Sequence, residues 1–281
     1  MPPKLVISLD YELFWGVADW ARIENRRSII EREIKTIPKI LELFKKYQIH
    51  ATWAVVGMTM CENYDEWSSI NSNQLPIYKN HIEVNNLEKD IIKNQHLFFS
   101  KEIITKILNT PNQEIGSHSY SHFYCDDKTS SIEQFDNDLE CAIKIAEKYK
   151  IKLKSFVFPR NQVKDEFIEV LQNKKFKFYR GNPNHWLYRD GHNLKFGRMG
   201  RLLRLCDSYI PISNYENHKI DNSSIVNIPA DFQLRRYLKY TTNITEIITL
   251  ARIKNLVFES VKKNGIFHLW FHPQDIGEYP D

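Results

Sequence analysis

Short apolar runs alternate along this chain with amphipathic stretches of helical period. That alternation constrains the fold most, because strands and helices bury their apolar faces differently and must pack in layers. Candidate strands fall at 5–10, 51–56, 114–117, 155–158, 175–179, 224–228 and 266–271. Between the first two, Ile30, Ile34, Ile37, Leu41 and Phe44 recur at helical spacing over 29–47, with Ser28 placed to cap the helix. Further helices are expected over 132–148, 165–173 and 245–263. Strands joined by helical crossovers predict an α/β chain with a barrel-like (β/α) fold; a doubly wound sheet is the alternative.

Two stretches exceed a minimal unit. Residues 58–95 are polar and irregular, and 182–222 carry many Tyr, Arg and His residues with few strand signals. Long loops in compact α/β folds are usually functional, and loops after parallel strands build the site. With no repeat or Pro/Gly/Ser linker, residues 1–281 read as a single domain with insertions near 58–95 and 182–222. The net charge of +4 is too small to imply a nucleic-acid partner. Four scattered cysteines form no CxxC pair and read as thiols of a reducing compartment. The N-terminal apolar run is broken by Asp10 and Glu12, unlike a secretory signal, and no run is long enough to span a membrane. A cytoplasmic location follows as an expectation, as does a further closing element beyond Asp281.

Chemistry-bearing residues gather at strand ends. Asp10 and Glu12 follow the first strand and, two apart, share a face while Tyr11 points away. Two surface acids are the alternative. His118 and His122 follow the third strand, and one helical turn would put both imidazoles on one face, where they could hold a divalent metal. Ser119 excludes an HExxH protease motif, and chance HxxxH patterns are common. His272 ends the last strand in a His-Pro pair and would face the same mouth as Asp10; a hydrogen-bonded strand-end histidine is the plainer possibility. His268, four residues earlier on the same strand face, reads as structural.

The order of these motifs resembles the polysaccharide deacetylase (NodB-homology) family: ISLDYELFWG at 7–16, ATWAVVG at 51–57, EIGSHSYSH at 114–122, SFVFPRNQV at 155–163 and IFHLWFHPQDIG at 266–277. The resemblance implies a distorted seven-stranded (β/α) barrel and metal-dependent carbohydrate deacetylation. By position it implies His118 and His122 as metal ligands, Asp10 as catalytic base and His272 as general acid. The family's usual second Asp is replaced by Tyr11, which makes Glu12 the expected third ligand. The fourth-strand motif departs further, with Val157 and Phe158 where an arginine is usual. Arg160 is then the local cation expected to orient Asp10 or bind substrate, with Arg180 competing for that place and Asp231 as an acid that could fix the arginine.

The resemblance also implies a divalent metal, with Zn²⁺ as default and Co²⁺, Ni²⁺ or Fe²⁺ fitting the same ligands. The expected substrate is an N-acetylated (or otherwise acylated) glycan or sugar precursor of cell-surface glycan assembly. Trp15, Tyr120, Tyr124 and Trp186 are candidates for stacking on sugar rings, against a reading of most of them, Trp186 above all, as core. Arg198, Arg201 and Arg204 could meet a phosphate or the inner membrane surface; a solvated helix face with an apolar underside is the plainer reading. Other function classes are a non-catalytic carbohydrate-binding scaffold, supported by the Tyr11 and Val157 departures, and an amidohydrolase of small amides. Oligomeric state is not legible.

Overall fold

A computed structural model describes residues 3–71, 76, 87–189, 197–218, 224–235 and 242–276. Its strands are β1 (Lys4–Tyr11), β2 (Ala51–Val55), β3 (Gln113–Ser117), β4 (Ser155–Val157), β5 (Phe178–Arg180), β6 (Val226–Asn227), β7 (Phe232–Gln233) and β8 (Ile266–Phe271). They form one curled sheet in the order β6-β5-β4-β3-β2-β1-β8-β7, and every pair is parallel. All C-terminal ends therefore open on one rim.

The expected seven-stranded barrel becomes eight strands because the run expected at 224–228 is longer and broken in two. Ile228 and Ala230 donate backbone hydrogen bonds to Tyr179 and Gly181 beside β5, whereas Asp231 and Leu234 donate to His268 and Trp270 of β8. Pro229, which has no N–H, lies at the crossover. This single stretch bonds to both open edges of the sheet and closes the (β/α) barrel.

β1 sits between β2 and β8 and is buried on both faces over its second half. Ile7, Leu9 and Tyr11 pack into the main apolar cluster with Ile30, Ile37 and Leu41 of α1 (Ile23–Lys46). The alternate residues Ser8 and Asp10 carry the polar contacts of the site. α1 starts earlier than the expected Ser28 cap. Ile23 is buried one heptad before Ile30, which extends the apolar stripe, and Ser28 lies inside the helix.

The stretch 58–95 contains α2 (Tyr64–Asn71) and α3 (Glu88–Lys93), followed by α4 (Lys101–Asn109). α5 (Ile132–Lys148) and α6 (Asp165–Asn173) have the expected bounds, and a Ser131–Gln134 capping box starts α5. Phe135 of α5 anchors a second cluster with Phe123, Phe156, Phe158 and Phe167. α7 (Gly197–Asp207) occupies part of the 182–222 stretch, α8 (Thr242–Lys262) leads into β8, and α9 (Pro273–Ile276) follows it. Residues 72–75, 77–86, 190–196 and 219–222 of the two expected insertions lie outside the described residues. Among those described, no helix is long and apolar enough to cross a membrane.

Candidate active site

The rim of the barrel gathers residues from four separated parts of the chain. Glu12 leaves the strand immediately after β1, with φ −124° and ψ −25°. Tyr11 turns the other way, into the core. Gly16 lies under the Glu12 side chain so closely that a β-carbon there would overlap its carboxylate.

His118 and His122 converge on this carboxylate, but not as the expected helical pair. Residues 118–122 form an irregular turn after β3, with Ser119 at φ 60° and His122 at φ 59°. Such positive φ values cost a non-glycine residue energy and persist when surrounding contacts over-determine them. Here the buried Asp138 of α5 supplies those contacts: its carboxylate accepts hydrogen bonds from the backbone N–H of Tyr120 (2.7 Å) and Ser121 (3.0 Å) and from the Ser121 hydroxyl. Ser119 Oγ accepts from the N–H of Phe123 at 2.7 Å. The turn brings His118 Nε2 to 3.0 Å and His122 Nε2 to 3.3 Å from Glu12 Oε1.

The chemistry of this donor set fits a divalent cation. The Val157 carbonyl oxygen can only accept, so His118 Nδ1, 2.8 Å away, carries the ring proton. Nε2 then turns its lone pair toward Glu12. Burial opposes ionisation of Glu12, but the surrounding His122 and His272 outweigh it and hold the carboxyl well below 4.5. Two nitrogens and an anionic oxygen lie within 4.8 Å of one another, close enough to share one cation. A carbonyl fixing the far nitrogen of a histidine is the usual second support of a metal ligand.

Asp10 lies beside this group. Arg180, the last residue of β5, donates from Nη1 to Asp10 Oδ1 at 2.7 Å and from Nη2 to Oδ2 at 2.6 Å, with both side chains buried. Its guanidinium also reaches Ser8 Oγ (3.1 Å) and Asn161 Oδ1 (3.1 Å) and lies 4.3 Å from the Trp270 ring centroid. Burial pushes the Asp10 carboxyl up, yet Arg180 overcomes it and holds the carboxyl below 3.8.

The expected pairing of Arg160 with Asp10 is corrected. Arg160 and Asn161 follow Pro159 at φ 55° and 53°, and this turn carries Arg160 away. Arg160 donates instead to Asp19 Oδ2 at 2.6 Å and lies over the Tyr124 ring at 4.0 Å. Asp231, the acid offered to fix the arginine, contacts His218 at 2.7 Å and the His268 N–H at 2.7 Å. Sequence reasoning placed the fifth strand at 175–179, which left Arg180 in a loop. The strand runs to Arg180, so its side chain enters the barrel.

His272 follows β8 opposite these groups. Nε2 lies 3.6 Å from Glu12 Oε1 and 4.0 Å from Asp10 Oδ2, and Nδ1 lies 3.4 Å from Asp275 Oδ2. Burial favours the neutral ring, but Glu12 and Asp275 outweigh it and raise the His272 pKa well above 6.5. Asp275 escaped the sequence reading, although its i+3 spacing from His272 on a short helix was a usable signal. His268 is buried against Ser8 Oγ at 2.9 Å, in keeping with a structural place.

A cavity of about 680 Å³ opens over Asp10, Glu12, His122 and His272. Of the aromatic candidates for sugar stacking, Trp15, Tyr120 and Tyr124 are buried; Trp15 stacks on Trp67 and donates to the Phe98 carbonyl oxygen at 2.8 Å. Trp186, read as core, is 48% exposed. Trp20, Trp270, Tyr188 and Tyr209 line the cavity instead.

Comparison with curated proteins finds no match. Among solved structures, one described as a putative polysaccharide deacetylase from Mycobacterium smegmatis superposes with a TM-score of 0.60 at 11% identity, covering 99% of this chain and 79% of its own. A probable polysaccharide deacetylase of Pseudomonas aeruginosa PAO1 gives 0.53 at 12% identity, with 98% and 79% covered. The PuuE allantoinase gives 0.52 at 13% identity, again with 98% and 79% covered. At these identities the likeness is one of fold. The family model described as polysaccharide deacetylase matches residues 34–179, just over half of the sequence. Sequence match and barrel agree, and the chain belongs to the polysaccharide deacetylase family.

Proposed function

We propose that this protein is a metal-dependent deacylase that hydrolyses the N-acetyl (or related acyl) amide of an amino sugar, in the assembly of cell-surface glycans. The observation that carries this reading is the convergence of Glu12, His118 and His122 on one point, with Asp10 on one side and His272 on the other. Glu12, His118 and His122 would hold the ion; two imidazoles and a carboxylate suit Zn²⁺, and Co²⁺, Ni²⁺ or Fe²⁺ accept the same set. When bound, such an ion supplies a Lewis acid that polarises the amide carbonyl.

The remaining steps belong to the chain. Arg180 keeps Asp10 ionised and fixes the plane of its carboxylate, so that one oxygen can take a proton from the attacking water. Water oxygen bonds to the carbonyl carbon as that proton moves to Asp10. His272, charged and steadied by Asp275, gives a proton to the amine nitrogen as the C–N bond breaks. A carboxylic acid and a free amino sugar leave. Burial of Asp10, Glu12 and His122 strengthens these charge interactions.

His118→Ala removes one ligand and should abolish both stoichiometric metal in the purified protein and acetate release from N-acetylated sugars. Elemental analysis and an acetate assay check it. A His118→Ala protein that keeps both metal and turnover rules the assignment out.

A further inference from the structure

The cavity over Asp10, Glu12 and His272 extends to a second wall of different chemistry. Arg201 and Arg204 of α7 stand three residues apart on one helical face, Ser208 follows one turn later, and all three line the cavity. Arg235, just after β7, joins them: its Nε donates to Ser208 Oγ at 2.7 Å and its Nη2 to the Arg204 carbonyl oxygen at 3.3 Å. Arg204 Nε donates to the Leu187 carbonyl oxygen at 3.0 Å, and its guanidinium lies 6.0 Å from the Tyr188 ring centroid. Both arginines line the same cavity as the strand-end carboxylates.

Hydroxyl and acetamide groups of a neutral glycan are served by neutral donors and aromatic faces. Planar guanidinium forks match phosphate oxygens, which they bind with paired charge-assisted hydrogen bonds. We propose that the substrate is an acylated amino sugar carrying a phosphate ester or diphosphate, and that Arg204 and Arg235, with Arg201 at the edge, form its phosphate subsite. The inference rests on the deacylase reading of the strand-end site and adds the substrate class to it. The phosphate could join the sugar to a nucleoside or to a lipid. Both are to be tested, since α7 also exposes Met199 and Leu202.

The test measures deacylation by the zinc-loaded protein of N-acetylglucosamine, its 1-phosphate, UDP-N-acetylglucosamine and a polyprenyl-diphosphate N-acetylglucosamine in detergent. Binding of UDP by calorimetry is followed in parallel. At least one phosphorylated substrate is expected to exceed the neutral sugar at least tenfold in kcat/KM, and the preferred one identifies the carrier. Arg204→Ala and Arg235→Ala should raise its KM at least tenfold with kcat within about threefold, leave the neutral sugar within threefold, and weaken UDP binding tenfold. Arg201→Ala, at an exposed position, and Arg204→Lys repeat the test in variants that keep the fold, with melting curves as control. Equal kcat/KM for neutral and phosphorylated sugars, with UDP binding unmoved by the arginine changes, overturns the subsite and leaves the deacylase reading standing. UDP binding that depends on Arg204 and Arg235, with no acyl release from any of the four compounds, keeps the subsite and overturns the deacylase reading.

Discussion

Single atoms decide how this site works. Glu12 can lean toward His118 and His122 because Gly16 leaves room beneath it. Gly16→Ala should therefore displace the carboxylate and weaken zinc binding about tenfold or more, the usual cost of disturbing a ligand's support. The melting temperature should stay within a few degrees, and zinc titration of the apoprotein checks both. His268 offers a pH test. Burial, with Arg180 nearby, pushes its pKa down to about 3. The unfolded chain takes up a proton near 6.5 and the folded one only near 3, so His268 contributes its full stability above pH 6.5 and loses it as pH falls from there toward 3. The slope is at most about 1.4 kcal/mol per pH unit. His268→Gln should flatten the fall of melting temperature between pH 7 and pH 4 relative to the parent; parallel curves would contradict this origin.

At the scale of elements, α5 serves two purposes with residues three apart. Phe135 fills the phenylalanine cluster, its ring 4.9 Å from Phe167 and 5.3 Å from Phe123. Asp138 reaches the turn that carries both histidines. Phe135→Ala is expected to cost roughly 3–5 kcal/mol of stability through the lost contacts and the cavity, yet leave zinc affinity of the folded protein unchanged. Asp138→Ala strands two buried N–H groups and frees a turn with two positive-φ residues, so stability and zinc affinity should fall together. Denaturant melts paired with zinc titrations separate the two outcomes. α7 departs in part from the expected solvated arginine face with an apolar underside. Arg201 is exposed as expected, but Met199 and Leu202 are exposed as well, and Arg204 is half-buried and lines the cavity. The side chain of Arg198 lies outside the described residues.

Across the whole molecule, a metal at this site joins residue 12 to residues 118–122, so binding and folding are coupled. Zinc at about 100 times its dissociation constant should stabilise the fold by roughly 3 kcal/mol, a rise of several degrees at roughly 2–4 °C per kcal/mol for a chain approaching this size. His118→Ala should show no such rise in a melting scan with and without zinc. The amino-acid sequence by itself determined the alternation of strands and helices, the bounds of α5 and α6, and the gathering of Asp10, Glu12, His118, His122 and His272 at strand ends. Apolar period and strand-end position are local properties, written within a few neighbouring residues. Tertiary structure alone decided that Arg180 and not Arg160 meets Asp10, that a left-handed turn and not a helix joins the two histidines, and that one broken strand closes the barrel. Each of those depends on where a side chain or carbonyl points after register and turns are summed over the chain. A shift of one residue in a strand, or one positive φ, reverses that direction without leaving a mark in the local pattern.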